Sequence, residues 1–309
     1  MPILKDINNN KNKMWPSFLV IYGWFAVFPF LIFLTYKYLK QKKKNWKIQI
    51  WYFLYFMLSM LFIYARFIEP QMIIVKHKEI QTGFQGRFVL IADLHLWIFK
   101  NERFLKKIIK KIQNLENIDG VLIPWDFTLV LDQNTDLEKL FSPFSKLDIP
   151  IYATLWNHDT MKPWPNISAN LRNVLEKNKI IVLNNEKSQL ISKNIQILWL
   201  WDNWSNDDKT EMIWEYSAED NLIVLAHNPD TTLKYTNSIA DLTVSWHTHW
   251  WQIRIPFIWK KILPVKWNFS DWYYENNGIK LYITSWAWEV WLPLRFRIPP
   301  EIVVLDLVE

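Results

Sequence analysis

The 309-residue chain has no cysteine, which excludes disulfides, zinc–thiolate sites and iron–sulfur clusters. It has only 5 glycines, against the roughly 20 that average usage of about 7% would give a chain this long. Charged residues make up 21% and apolar residues 50%, so the chain can bury a large core and wholesale disorder is excluded. Tryptophan, normally the rarest residue, is abundant at 21. The net charge of +6 is local rather than spread over the chain.

Charge is absent from residues 15–36 (WPSFLVIYGWFAVFPFLIFLTY) and again from 48–65 (IQIWYFLYFMLSMLFIYA). The first run is about as long as a helix needs to cross ~30 Å of hydrocarbon. Between them stand Lys37, Lys40, Lys42, Lys43, Lys44 and Lys47. This pattern predicts a transmembrane helical hairpin over 15–67 with a lysine-rich turn, preceded by a tail, 1–14. By the positive-inside rule the turn faces the cytoplasm, so the expectation is a multi-pass cytoplasmic-membrane protein with its body, 68–309, extracytoplasmic. No small-residue cleavage pattern follows either run, which argues against a signal peptide.

From about residue 86, short apolar β-branched runs alternate with helical stretches. FVLIAD (88–93), VLIPWD (121–126), IYATLWN (151–157), IQILWLWD (195–202), LIVLAH (222–227), LTVSWH (242–247), LYITSW (281–286) and IVVLDL (302–307) read as buried strands. Asn101 is placed to cap a helix whose apolar face is Phe104, Leu105, Ile108, Ile109 and Ile112. Lys106, Lys107, Lys110 and Lys111 fall on its other side, as expected of a solvated face rather than a nucleic-acid site. Residues 135–147 and 166–178 make two more helices. Strands alternating with helices imply an α/β domain.

Polar residues gather at the strand ends: Asp93 and His95, then Asp126, then Asn157-His158-Asp159, then His227, then His247-Thr248-His249. Five of the six histidines lie in these clusters; His77, between two lysines, reads as solvated. Ligand sites in open α/β sheets form beyond the carboxyl ends of the strands. A mixed set of carboxylate, amide and imidazole donors suits borderline divalent cations such as Mn, Fe or Zn.

The series DLH (93–95), Asp126, NHD (157–159), His227 and HTH (247–249) resembles the calcineurin-like metallophosphoesterase pattern D-x-H, G-D, G-N-H-D/E, H, G-H-x-H. The resemblance spans roughly residues 68–309, and HTHWWQIRIP with TSWAWEVWLPLRFRIPPEI resembles the membrane-anchored bacterial branch. It implies a four-layer α-β-β-α sandwich and a phosphohydrolase acting on diesters or pyrophosphates, including lipid-linked ones. It implies two divalent cations. Asp93, His95 and His249 would hold one, Asn157, His227 and His247 the other, and Asp126 would bridge them. Two such cations clamp a phosphoryl group and acidify a water. His158 would protonate the leaving oxygen, with Asp159 orienting its ring.

The departures from this pattern are systematic. Trp97, Trp125, Trp156, Trp246, Trp250, Trp251, Trp286, Trp288 and Trp291 stand at the pattern's glycines, and Trp164, Trp199, Trp201, Trp267 and Trp272 at positions where glycine is plausible. Reading these fourteen as glycine brings glycine close to its usual ~7%. An indole at a glycine turn costs on the order of 1–3 kcal/mol by overpacking or strain. A dozen such sites would exceed a domain's whole stability of ~5–15 kcal/mol. Translation of a UGA-for-glycine code with UGA read as tryptophan accounts for the pattern. Genuine tryptophans would instead imply a catalytically impaired membrane-bound scaffold. The expected partners are the bilayer and a phosphoester, with the IRIPFIWKKILPV stretch (253–265) placed to meet an anionic lipid headgroup. No nucleic acid is expected, because the basic excess lies largely in the hairpin turn.

Overall fold

The structure is a computed structural model; it describes residues 23–41, 45–92, 94–96, 100–124, 127–128, 135–155, 167–183, 187–190, 194–200, 209–217, 219–226, 228–235, 239–245, 253–254, 273–276, 278–284 and 294–309. Strand β1 is Ile74–Gln81, β2 Gly86–Leu90, β3 Gly120–Ile123, β4 Ile151–Ala153, β5 Ile180–Val182 and β6 Lys187–Leu190. These are followed by β7 Ile195–Leu200, β8 Asn221–Ala226, β9 Leu242–Ser245, β10 Tyr273–Asn276, β11 Ile279–Ile283 and β12 Glu301–Val308. All eight strands expected from the sequence are present within a few residues of their predicted bounds.

The strands form two six-stranded mixed sheets, ordered β1-β12-β2-β3-β4-β5 and β10-β11-β9-β8-β7-β6. Strands β2 to β5 run parallel, as do β7, β8, β9 and β11. The tail strand β12 inserts between β1 and β2, parallel to the first and antiparallel to the second.

Alternation along the strands sets the layers. Phe88 and Leu90 of β2 point between the sheets, where they meet Leu122, Tyr152, Ile197, Trp199, Ile223 and Leu225. Val89 and Ile91 point the other way, onto the helices. The period of two puts successive residues on opposite faces, so a strand buried on both sides needs an unbroken apolar run. Helix α3 (Glu102–Gln113) buries Phe104, Leu105, Ile108, Ile109 and Ile112 against this outer face, while Asn101 Oδ1 accepts from the Arg103 N–H at 3.0 Å. Helices α4 (Leu137–Phe141) and α5 (Ser168–Lys177) complete that layer. Among the described residues, two 3₁₀ turns, Thr210–Glu215 and Pro229–Lys234, lie on the second sheet's outer side, where Ile213 and Tyr235 pack against Leu198, Leu222 and Val224. Layers of helix, sheet, sheet and 3₁₀ turn are thus what the described residues show of the expected α-β-β-α sandwich.

Ahead of the sheets, helix α1 (Val27–Leu39) packs antiparallel to α2 (Trp46–Ile63) through Tyr38 on Tyr52 and Phe30 on Tyr55, with ring centroids 5.4 and 5.3 Å apart. The second helix continues through a π turn and a 3₁₀ turn to Gln71. At 1.5 Å per residue this 26-residue stretch is about 39 Å long, enough to cross a bilayer. Only 11% of its apolar stretch is buried, unlike the core helix of a soluble domain. Ile32 (70%), Leu39 (75%) and Trp51 (72%) project outward. One described helix therefore has the length and composition of a membrane span. Helix α1 is shorter, and residues 15–22, the start of the predicted first span, lie outside the described residues.

The last turns of this helix belong to the body. Ala65, Arg66, Glu69 and Pro70 are buried, the Arg295 N–H donates to the Ala65 carbonyl at 2.8 Å, and the Ile298 N–H donates to Glu69 Oε1. Strand β1 starts three residues after Gln71. His77 lies on this edge strand, half-exposed and 3.5 Å from Asp306, in keeping with its solvated reading.

Candidate metal centre

Strands β2, β3 and β4 are parallel neighbours, so their carboxyl ends share one edge of the first sheet. Strands β8 and β9 are parallel neighbours in the second sheet. The five polar clusters follow these five ends: Asp93 and His95 after Leu90, Asp126 after Ile123, Asn157-His158-Asp159 after Ala153, His227 after Ala226, and His247 and His249 after Ser245. Of these ten positions only His95 is described; Asp93, Asp126, Asn157, His158, Asp159, His227, His247, Thr248 and His249 lie outside the described residues. Among the described residues alone, accordingly, no group of three His, Asp or Glu side chains gathers.

The segments carrying Asp93 and Asp126 begin and end as neighbours. Leu90 pairs with Leu122 before them, and Leu96 forms a parallel bridge with Thr128 after them. The Ile91 N–H donates to Leu122 O at 3.0 Å and the Leu96 N–H to Phe127 O at 2.8 Å. The parallel pairing is thus taken up again beyond the strand ends.

His95 sits in this pairing, fully buried, with φ +37°. That left-handed backbone is uncommon outside glycine and clusters at functional sites, where the surrounding structure must hold it. Burial pushes its imidazole down to about 3, the nearby Lys100 ammonium adds to this, and a hydrogen bond with the Thr128 backbone opposes it. Lys100 is itself buried, its Nζ 4.5 Å from the centre of the Phe104 ring. The imidazole is therefore neutral throughout the physiological range, which is the form that binds a metal. A neutral, water-excluded imidazole at a shared strand edge, with carboxylates following the same strands, fits a divalent cation.

The depressed pKa of His95 has a consequence for the metal-free protein. Between pH 6.5 and about 3 the unfolded chain takes up a proton at His95 that the folded chain refuses. This contribution is absent above pH 6.5 and destabilises the fold progressively as pH falls through that window. Urea midpoints of metal-free protein should decline accordingly, and His95→Gln should flatten that decline. An unchanged slope in the variant would place the acid sensitivity elsewhere.

Of the fourteen tryptophans at glycine-like positions, Trp199 alone is described. It lies in β7 opposite Leu225, buried between the sheets, and its indole N–H meets no acceptor among the described residues. Gly83, by contrast, takes φ +86° in the turn after β1, a conformation that suits glycine.

No family model matches the chain. Curated relatives do. An uncharacterized metallophosphoesterase, YkuE of Bacillus subtilis, is 30% identical over 266 residues, covering 79% of this chain and 88% of that protein. Another, Cj0846 of Campylobacter jejuni, is 30% identical over 230 residues, 72% of this chain and 59% of that protein. The phosphodiesterase YaeI of Escherichia coli is 26% identical over 233 residues, 72% of this chain and 82% of that protein.

Proposed function

The chain belongs to the metallophosphoesterase family, and from that premise we propose a membrane-anchored, two-metal phosphodiesterase or pyrophosphatase whose substrate is a lipid-linked phosphoester at the membrane surface. Kinship with metallophosphoesterases and a phosphodiesterase makes it a metal-dependent phosphoric ester hydrolase. Asp93, His95 and His249 would hold one cation, Asn157, His227 and His247 the other, and Asp126 would serve both sites. Mn, Fe and Zn suit this donor set. Such cations, when bound, supply charge neutralisation for phosphoryl oxygens and an acidified water. His158 donates the proton that the leaving oxygen needs, and Asp159 keeps its ring in the donating orientation.

What supports the membrane part of this reading is that the apolar helix meets the body at the edge where β2 ends. Strand β1 begins opposite Glu301, and β12 runs antiparallel to β2 with Val303 opposite Leu90. The start of β1 therefore lies at the edge where β2 ends, and the apolar helix stops at Gln71, three residues before it. The hairpin thus leaves the body from the edge where the metal residues follow their strands. A substrate held at the bilayer surface has the shortest path to that edge. The lysine turn toward the cytoplasm puts this edge on the outer face, a topology that protease accessibility in sealed vesicles checks. Residues 255–272, which include most of the proposed headgroup-facing stretch, lie outside the described residues.

We read glycine, not tryptophan, at the fourteen positions. The buried indole N–H of Trp199, which has no acceptor among the described residues, supports this, since a buried donor without a partner costs about 1–3 kcal/mol. UGG codons at those positions would refute the reading. The substrate assignment is tested by reconstituting the full chain in vesicles. Enzyme and substrate confined to one surface gain effective concentration, so an acylated phosphodiester should exceed its deacylated headgroup by about 10²-fold in kcat/KM. Equal values would remove the lipid from the proposal.

A further inference from the structure

A centre whose ligands come from two sheets depends on how far apart those sheets stand at the shared edge. Packed sheets lie about 10 Å apart, whereas metal–ligand bonds are about 2.0–2.2 Å long. A small opening at that edge would separate Asp93, His95, Asp126 and Asn157 on one side from His227, His247 and His249 on the other. The buried apolar core between the sheets sets most of that separation, and a directional contact at the edge would fix it further.

One buried carboxylate spans the gap. Glu301 is the first residue of β12, at the site edge of the first sheet, and its side chain is wholly inaccessible to water. Its Oε2 lies 2.5 Å from Lys76 Nζ on the adjacent β1. Its Oε1 accepts from Thr284 Oγ1 at 3.1 Å. Thr284 belongs to the second sheet, directly after β11, and is itself buried. Its N–H donates to the Ser245 carbonyl at 3.1 Å, extending the β11–β9 pairing by one more bond beyond Ile283 and Ser245. Ser245 is the last residue of β9, two positions before His247. An unbroken path therefore runs from Lys76 through Glu301 and Thr284 to the root of the HTH loop.

We propose that Glu301 is a positioning residue that clamps the two sheets at the site edge and, through Thr284 and Ser245, sets where the HTH loop presents its histidines. This rests on the metal-centre reading above. A buried carboxylate is tolerated only when paired and hydrogen-bonded, and Glu301 has both an ion pair and a hydrogen bond. The same segment is braced from the other end, because Arg295 and Ile298 bond to the last turns of the apolar helix.

The test compares Thr284→Val, which keeps the shape and removes the hydroxyl, with Thr284→Ser, which keeps the hydroxyl. It is made in the full chain carrying glycine at the fourteen positions. Mn²⁺ dissociation constants are measured by chelator competition, and metal-free melting temperatures report on the fold alone. Thr284→Val and Glu301→Gln should weaken Mn²⁺ binding about 10–100-fold, the usual effect of losing a group that orients a ligand. Thr284→Ser should bind as the parent does. Native Mn²⁺ affinity in Thr284→Val, or an equal loss in the Ser and Val variants, would overturn the clamp while leaving the metal centre intact. A parent protein that binds no Mn²⁺ at all would overturn the metal reading and the clamp with it.

Discussion

His158→Asn should leave bound metal nearly unchanged and slow hydrolysis of an alkyl phosphodiester by about 10²–10⁴-fold, the range that a general acid contributes. The position follows β4 by five residues, directly after Asn157 in sequence, and is not assigned as a ligand. An alkoxide leaves poorly without a proton, whereas p-nitrophenolate is stable enough to leave unaided. The loss should therefore shrink sharply with bis(p-nitrophenyl) phosphate. An equal loss on both substrates would argue for a binding or folding role instead. Asp159→Asn should show the same leaving-group dependence at smaller amplitude, since it acts by orienting the ring.

The second large effect is expected at Asp126. A carboxylate that reaches both cations serves each site, so Asp126→Ala should empty both rather than one. Metal content should fall from about two ions per chain to near zero, and activity should disappear with either substrate. His95→Ala, by contrast, should reduce one site more than the other. A full complement in Asp126→Ala would contradict the shared-ligand assignment. Its position supports the expectation, because the segment between Ile123 and Phe127 is flanked by pairing to the Asp93 segment on both sides.

The buried architecture was readable residue by residue, and its limits follow from the same physics. Each of the eight expected strands lies inside a sheet and reads as a mostly apolar run because both faces are covered. The four that escaped, β1, β5, β6 and β10, are the four sheet edges. Strand β1 is half solvated and carries charge, so IVKHKEIQ shows no apolar run, whereas β5 is apolar but only three residues long. Helix α3 was visible because a cap and a stripe coincide in it. The order of polar clusters along the chain singles out candidate ligands, and parallel neighbours place the strand ends that they follow on one edge of each sheet. The depressed His95 pKa and the Glu301 clamp were not visible. The first depends on burial and a positive φ, and the second joins residues more than 200 positions apart that only the insertion of β12 brings together.

The shared edge also relates the apolar hairpin to the chemistry. Its last turns bond to Arg295 and Ile298, so the end of the apolar helix is built into the body rather than joined to it by a tether.

The central claim, a metal-dependent phosphohydrolase with its ligands at the shared strand edge, is tested most directly by one titration. The full chain with glycine at the fourteen positions is stripped with chelator and given Mn²⁺ stepwise, with hydrolysis of bis(p-nitrophenyl) phosphate followed at each step. The account predicts no turnover without metal and a rise that saturates near two equivalents. Turnover that persists after complete removal of metal, or none at any Mn²⁺, Fe²⁺ or Zn²⁺ concentration, would contradict it.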